Sequence, residues 1–322
     1  MKILNGSELA SYIKQRQAKT ARSLDQHPKL AIVQCKDDPV INTYVRLKKG
    51  YGADIGVDVD IHFISQNEIA RLLQNLNQDE SVHGIIVQLP LTDPSQTDEI
   101  VNMVAPEKDV DALGDPDAPW PSHLSTTQGA GENRTEPYRE YGKGESEPAT
   151  QRSAKSTSRV SSSATEQAGA VRGSWFEPAT PMAIMWLLSG YNVDLKDKHI
   201  LLLGRGKLVG APLEKLLKNS GHNVEVVERE AEDLSEHTKD ADIIITATGS
   251  PAILYSEMIK KGAVVVDAGV ASEEGKTVGD LAADVYERDD LTITPKKGGV
   301  GPLTVCALFE NVILAAAQTQ ES

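Results

Sequence analysis

Five short apolar runs punctuate this chain: KLAIVQC (29–35), VHGIIVQLPL (82–91), HILLLG (199–204), ADIIITATG (241–249) and GAVVVDAG (262–269). They are nearly continuous rather than alternating, which is how a strand reads when both of its faces are covered. They are also too far apart for hairpins. Helical stretches fill the gaps: a polar Lys- and Gln-rich one from about Gly6 to Gln26, SQNEIARLLQNLNQ behind an N-cap Ser65, PMAIMWLLSG opening at Pro181, and GAPLEKLLKNSG. A further strand is expected in DIGVDVDIHF and another in LTITP. Buried strands separated by helices pair in parallel through right-handed crossovers, so the expected fold is α/β in layers.

At 322 residues the chain is long for one domain, and its composition breaks in the middle. Residues 115–174 hold one Leu, two Val and no Ile, Met or Phe. Such a stretch buries too little apolar surface to offset the entropy of ordering its backbone, and a disordered insert is expected there, a phosphorylatable regulatory loop or a segment foreign to the mature protein being the alternatives. The division that follows is residues 1–114 as a first α/β domain, 115–174 as the insert, and 175–302 as a second βα series. A terminal apolar helix at 303–322 closes the chain.

With 33 Lys+Arg against 47 Asp+Glu, the formal net charge of -14 argues against nucleic acid or an anionic membrane surface as a partner. No apolar run approaches the ~20 residues of a spanning helix, and the amino terminus lacks a secretion signal's apolar core. The two cysteines, Cys35 and Cys306, sit in separate apolar stretches and offer no metal motif. A cytoplasmic protein with reduced thiols and no metal is expected.

Two local patterns could carry chemistry. In LLLGRGKLVG, Gly204, Gly206 and Gly210 follow a strand and open a helix, where a side chain would block backbone approach to a diphosphate and the helix amino end would meet its charge. Alone the pattern also fits tight strand-to-helix packing; the strand-turn-helix-strand setting favours a dinucleotide. Glu228, ending the next strand, suits a ribose hydroxyl, whereas Arg205 and Arg229 suit a 2′-phosphate. In TYVRLKKG (43–50), Tyr44 and Lys48 stand four apart and share one helix face. Such a pair is ordinarily a half-buried ring with a lysine snorkelling past it.

The context of that pair resembles the bifunctional methylenetetrahydrofolate dehydrogenase/methenyltetrahydrofolate cyclohydrolase family of the FolD type. The motifs, in family order, are KLAIVQCKDDP with Tyr44 and Lys48 behind it, GIIVQLPL, PEKDVDALG, EPATP, GRGKLVGAP, TATGSP, VVVDAG and TPKKGGVGPLT. They span nearly the whole chain except the polar insert. The resemblance implies an amino-terminal catalytic domain, completed by the last helix, and a Rossmann domain with a folate cleft between them. It implies oxidation of 5,10-methylenetetrahydrofolate with NADP, NAD being possible, and hydrolysis of the methenyl product to 10-formyltetrahydrofolate. That activity belongs to one-carbon metabolism and supplies purine biosynthesis; a homodimer is implied as well.

By the same resemblance Lys48 is the catalytic lysine, Gln88 its hydrogen-bond partner, Tyr44 the neighbour that shapes the folate site, and Asp111 the acid that holds the pterin. Val87, Leu89 and Pro90 line the folate site, as do Gly299, Val300, Gly301 and Pro302 of the GGVGPLT loop. The dinucleotide is implied to lie against Thr180, Gly204, Arg205, Gly206, Val209, Gly210, Pro212, Glu228, Arg229, Thr248, Gly249, Gly269 and Thr304.

Several positions depart from the family pattern: Val40 and Ile41 after DDP, Gly50 for a second lysine, Ala112 for a glycine, Gly206 for a serine, Glu228 and Arg229 for a His-Ser pair, and Lys296 and Lys297 for Val-Pro. They leave open a dehydrogenase without hydrolase activity, or a folate- and dinucleotide-binding protein without turnover.

Overall fold

The computed structural model describes residues 1–117, 176–228, 233–273 and 276–319. The insert expected to be disordered at 115–174 lies, from residue 118 on, outside the described residues, as does Arg229.

The first lobe is built on a three-stranded parallel sheet in the order β3-β2-β4, from β2 (Lys29–Gln34), β3 (Asp58–Phe63) and β4 (Gly84–Val87). Between β2 and β3 runs α2 (Pro39–Ile55). Asp38 caps its start by accepting from the N–H groups of Val40 and Ile41, Pro39 occupies the first turn, and Gly56 ends it at φ +80°. Between β3 and β4 runs α3 (Ile69–Gln78), entered through a capping box between Ser65 and Glu68. A short α4 (Thr97–Val101) follows β4. Alternation along β2 explains the two-sided burial: Leu30 and Ile32 join one apolar cluster, Ala31 and Val33 the other, and all four are fully buried.

The second lobe is a six-stranded sheet in the order β1-β11-β8-β7-β5-β6, every pairing parallel. Its strands are β1 (Lys2–Ile3), β5 (Ile200–Leu203), β6 (Val224–Val227), β7 (Ile243–Thr246), β8 (Val264–Asp267) and β11 (Thr292–Ile293). Connecting them are α6 (Gly210–Asn219) and α7 (Leu234–Thr238), with the hairpin β9 (Ala271–Glu273) and β10 (Lys276–Val278) after β8. The first strand of the chain thus sits in the second lobe's sheet. Two residues are too few to show a period, and sequence reasoning assigned no strand there.

Helices α1 (Gly6–Ser23), α5 (Ala179–Gly190) and α8 (Val300–Gln318) join the lobes, α8 packing on α1 and α5 and touching α2, β2 and β4. The largest apolar cluster is therefore continuous, running from Leu30, Ile32 and Val45 through Phe309 and Val312 to Ile184, Ile200 and Leu202. Helix α8 begins at Val300, so Val300, Gly301 and Pro302 form its first turn and only Gly298 and Gly299 remain loop. It is also long and apolar enough to cross a membrane by length and composition, which the sequence reading did not register. Some 61% of its apolar window is buried inside the protein, which marks it as a core helix. Both cysteines are free thiols. Cys306 lies under α1 and α2, where burial pushes its thiol up to about 11.

Candidate functional site

In α2, Tyr44 and Lys48 face the same way, both half-buried. Lys48 Nζ donates to Gln88 Oε1 at 2.9 Å. Gln88 is the first residue beyond β4, and its own backbone is pinned by the bond from its N–H to the Val33 carbonyl at 2.8 Å. Its Nε2 donates to the Leu89 carbonyl at 3.0 Å, which orients the amide with its oxygen toward the lysine. Val87 is buried and Leu89 packs partly buried against the same apolar cluster, while Pro90, joined to Leu89 by a cis peptide bond, is exposed.

The third member of this group comes from the loop after β4's neighbour, Asp109. That buried carboxylate accepts from the N–H groups of Leu113 (3.3 Å) and Gly114 (3.0 Å), folding the loop around itself and presenting Asp111. Burial holds the Lys48 ammonium below the usual lysine range, and Asp111 opposes that shift. Burial likewise raises the Asp111 carboxyl; Lys48 counters it and Asp109 adds to it. The two groups therefore sense one another in a partly desolvated setting, the kind of arrangement that marks functional sites. Ala112, standing where the family pattern has glycine, is held at φ +52°.

One residue that sequence reasoning missed ties this loop to the rest of the site. Asn311 of α8, 2% exposed, donates from Nδ2 to the Val110 carbonyl (2.8 Å) and to the Glu177 carbonyl (2.9 Å). One buried amide thus fixes the loop carrying Asp111 and the entry to α5. Its only sequence signal is an amide set between Phe309 and Val312 on the apolar side of a helix whose other polar residues are few. Nearby, Thr304 and Thr180 approach through their hydroxyls at 3.4 Å. The other expected residues at the start of α8 separate: Val300 is 5% exposed and belongs to the core, whereas a Cβ on Gly301 would meet open space. Gly299 is fixed from below, because a Cβ on Gly6 would lie 1.8 Å from its carbonyl oxygen and the Ser7 N–H donates to the Gly298 carbonyl at 2.9 Å.

In the second lobe, Gly204 leaves β5 at φ +92° and lies against the next strand's loop; a Cβ there would come within 2.7 Å of the Ala247 carbonyl oxygen. A Cβ on Gly210 would lie 2.1 Å from the Gly204 carbonyl oxygen, so strand end and helix start touch backbone to backbone. Gly206 differs: a Cβ there would point into open space. Val209 precedes α6 with no side-chain cap, and no acidic residue stands in the helix's first turn, which Pro212 shares. An open cradle before an uncapped ten-residue helix fits the diphosphate of a dinucleotide. Gly249, at φ +65°, and Thr248 follow β7; Gly269 follows β8.

Beside the cradle is a depression of about 310 Å³ lined by Arg205, Glu214, Lys218, Val224, Val226 and Glu228. Glu214, 9% exposed, accepts from Lys218 Nζ (2.6 Å) and Arg205 Nε (2.8 Å); the lysine first and then the arginine hold its carboxyl below the usual range against the opposing effect of burial. Sequence spacing exposes the Glu214–Lys218 pair as i, i+4 on a helix, but not the bond to Arg205. Lys207 of the glycine turn forms an ion pair with Asp98 of α4, bridging the lobes. Lys296 stands 4.8 Å over the Tyr286 ring, and Lys297 is exposed. Among the described residues no cluster of His, Cys, Asp or Glu could hold a metal ion.

A Rossmann lobe with a diphosphate cradle, joined through shared core helices to an α/β lobe carrying a desolvated lysine, defines a two-lobed dinucleotide enzyme. Residues 4–111 match the tetrahydrofolate dehydrogenase/cyclohydrolase catalytic domain and residues 178–320 the NAD(P)-binding domain of the same family. The chain belongs to that family, and as a member it is a bifunctional dehydrogenase and cyclohydrolase acting on folate with a nicotinamide dinucleotide. It is 32% identical to a bifunctional protein FolD from Hydrogenobaculum, over 99% of each chain. The crystal structure of the bifunctional FolD enzyme from Campylobacter jejuni superposes with a TM-score of 0.75 at 30% identity, covering 99% of each chain. The Trypanosoma brucei FolD enzyme complexed with NADP and an inhibitor gives 0.76 at 26% identity, over 99% of this chain and 98% of that one.

Proposed function

We propose that Lys48 is the proton carrier of the hydrolytic step. The chain oxidises 5,10-methylenetetrahydrofolate and hydrolyses the methenyl product to 10-formyltetrahydrofolate. In hydrolysis, water adds to the methenyl carbon and gives up its first proton to a base; the hydroxyl left on that carbon then releases its second proton to solvent as one carbon–nitrogen bond breaks and the departing nitrogen gains a proton, leaving the formyl carbonyl. Lys48 Nζ takes the first proton as a neutral amine and returns it as an ammonium. The observation that carries this reading is the 2.9 Å bond from Lys48 to Gln88 in a site whose burial holds the lysine below its ordinary pKa. Asp111 holds the pterin, since a carboxylate accepts two parallel N–H donors from a guanidine-like edge. Tyr44, Val87, Leu89, Pro90, Gly299 and Gly301 shape the folate face; Val300 supports it from the core.

When bound, the dinucleotide accepts the hydride of the oxidative step. Thr180, Gly204, Gly206, Val209, Gly210, Pro212, Thr248, Gly249, Gly269 and Thr304 hold and orient it. We assign NADP as the preferred form, because Glu214 anchors Arg205 by Nε alone and brings Lys218 beside it, leaving the end of the guanidinium for a 2′-phosphate. Glu228 in the same depression opposes that phosphate and suits a ribose hydroxyl, so NAD is also accommodated. Residues 1–114, apart from the strand β1 that joins the other lobe's sheet, form the folate domain with the terminal helix α8, and the chain from residue 175 up to that helix forms the dinucleotide domain. Cytoplasmic placement, a homodimer and supply of purine biosynthesis go with this reading, supported by the resemblance, and the net charge of -14 supports a small-molecule substrate over nucleic acid or an anionic membrane.

The test is Lys48→Met, with reduced nicotinamide and methenyl absorbance followed together. Ring opening is expected to fall by roughly 10²- to 10⁴-fold while dinucleotide binding is unchanged. Undiminished hydrolysis would remove Lys48 from the mechanism.

A further inference from the structure

Two carboxylates inside the second lobe have no part in the chemistry above. Asp280, fully buried, accepts from the Thr248 N–H at 2.8 Å through Oδ2 and from the Ser250 N–H at 3.0 Å through Oδ1. Asp267, the last residue of β8, accepts from the N–H groups of Gly269 (3.0 Å), Asp280 (3.1 Å) and Leu281 (3.3 Å), and from the Thr246 hydroxyl (3.3 Å). Buried carboxylates are costly unless their lone pairs are satisfied, so a paired arrangement of this kind is kept in place by what it organises. Here that is the loops after β7 and β8. The contacts leave no slack: a Cβ on Gly269 would lie 2.0 Å from Asp280 Oδ1, and one on Gly279 would lie 2.0 Å from Asp267 Oδ2.

The β7 loop is also the surface on which the glycine turn rests. A Cβ on Gly204 would meet the Ala247 carbonyl oxygen at 2.7 Å and Thr248 Cα at 3.1 Å. An unbroken path of contacts therefore runs from the Asp280 carboxylate through the Thr248 amide to the turn that cradles the diphosphate. None of it touches Lys48, Gln88 or Asp111.

We propose that Asp280 is a positioning residue for the dinucleotide: its carboxylate sets the shape of residues 247–250, and through them the seat of the glycine turn. This rests on the functional reading above for the identity of the ligand. The chain's second activity supplies the discriminating measurement, because hydrolysis of the methenyl substrate consumes no dinucleotide. Asp280→Asn keeps the size but turns one acceptor into a donor facing a backbone N–H. Calorimetric titration with NADP and with NAD is expected to give at least tenfold weaker binding of both, with cyclohydrolase turnover within about twofold of wild type. Gly279→Ala, outside the residues assigned to the ligand, presses at 2.0 Å on Asp267 Oδ2, the carboxylate that holds the Asp280 N–H, and is expected to give the same split; it also decides the matter should Asp280→Asn not fold. Asp290→Asn, which removes the ion pair to Arg288 elsewhere in the lobe, serves as control and is expected to lower Tm without changing dinucleotide affinity. Wild-type affinity in both folded variants would overturn the positioning role, and so would parallel loss of binding and hydrolysis. Wild-type protein that binds neither dinucleotide would overturn the functional reading and this role with it.

Discussion

Replacing Gln88 by Leu should move the pH dependence of cyclohydrolase turnover to lower pH by about one to two units. The bond removed is the one from Lys48 Nζ to Gln88 Oε1 at 2.9 Å. Hydrogen bonds to charged groups contribute about 1.5–3 kcal/mol, and one pKa unit corresponds to about 1.4 kcal/mol, so the loss is worth about one to two units. The sign follows from which state the bond favours. Gln88 offers an acceptor, which an ammonium uses more strongly than an amine, so the bond raises the lysine's pKa and its removal lowers it. Burial already depresses that pKa, and Leu does nothing to relieve it. The assay is the decay of methenyl absorbance at saturating substrate across pH, corrected for the uncatalysed rate. Dinucleotide affinity serves as the check on folding. Asp111→Asn should shift the midpoint the same way, since the carboxylate also supports the charged lysine. A midpoint that stays in place or moves alkaline in Gln88→Leu would refute the assignment of the titration to Lys48.

Two further outcomes follow from the departures noted in the sequence. Ala112→Gly should stabilise the protein by about 0.5–1 kcal/mol in chemical denaturation, the cost of an alanine in the left-handed region, about 1–2 kcal/mol, being partly cancelled by the greater chain entropy of glycine; unchanged or lower stability would contradict that balance. Glu228→Gln should raise the preference for NADP over NAD about fivefold, from about 1 kcal/mol of repulsion removed at a solvent-screened site, read as the ratio of kcat/KM values.

Much of the architecture was legible because it depends on neighbours in sequence. The continuous apolar runs became β2, β4, β5, β7 and β8, all in parallel pairings, and Asp38, Pro39 and Gly56 delimit α2 by purely local backbone chemistry. The i, i+4 rule alone sets Tyr44 and Lys48 on one face. Short pieces escaped: β1 has two residues and exists only because β11 offers it an edge, and α8 reached back to Val300 because that side chain is drawn into the core.

The site divides in the same way. Spacing placed Tyr44 beside Lys48 and glycines at the mouth of a helix, while the addition of Gln88 and Asp111 to that lysine was implied by the family resemblance. Only the tertiary structure decided that Lys48 and Gln88, forty positions apart, share a proton donor and acceptor, that Glu214 holds Arg205, that Asn311 joins two loops from opposite lobes, and that Asp280 supports the β7 loop. These depend on distance-sensitive contacts between segments remote along the chain. Their strength comes from desolvation, which no single segment carries until the layers have packed around it.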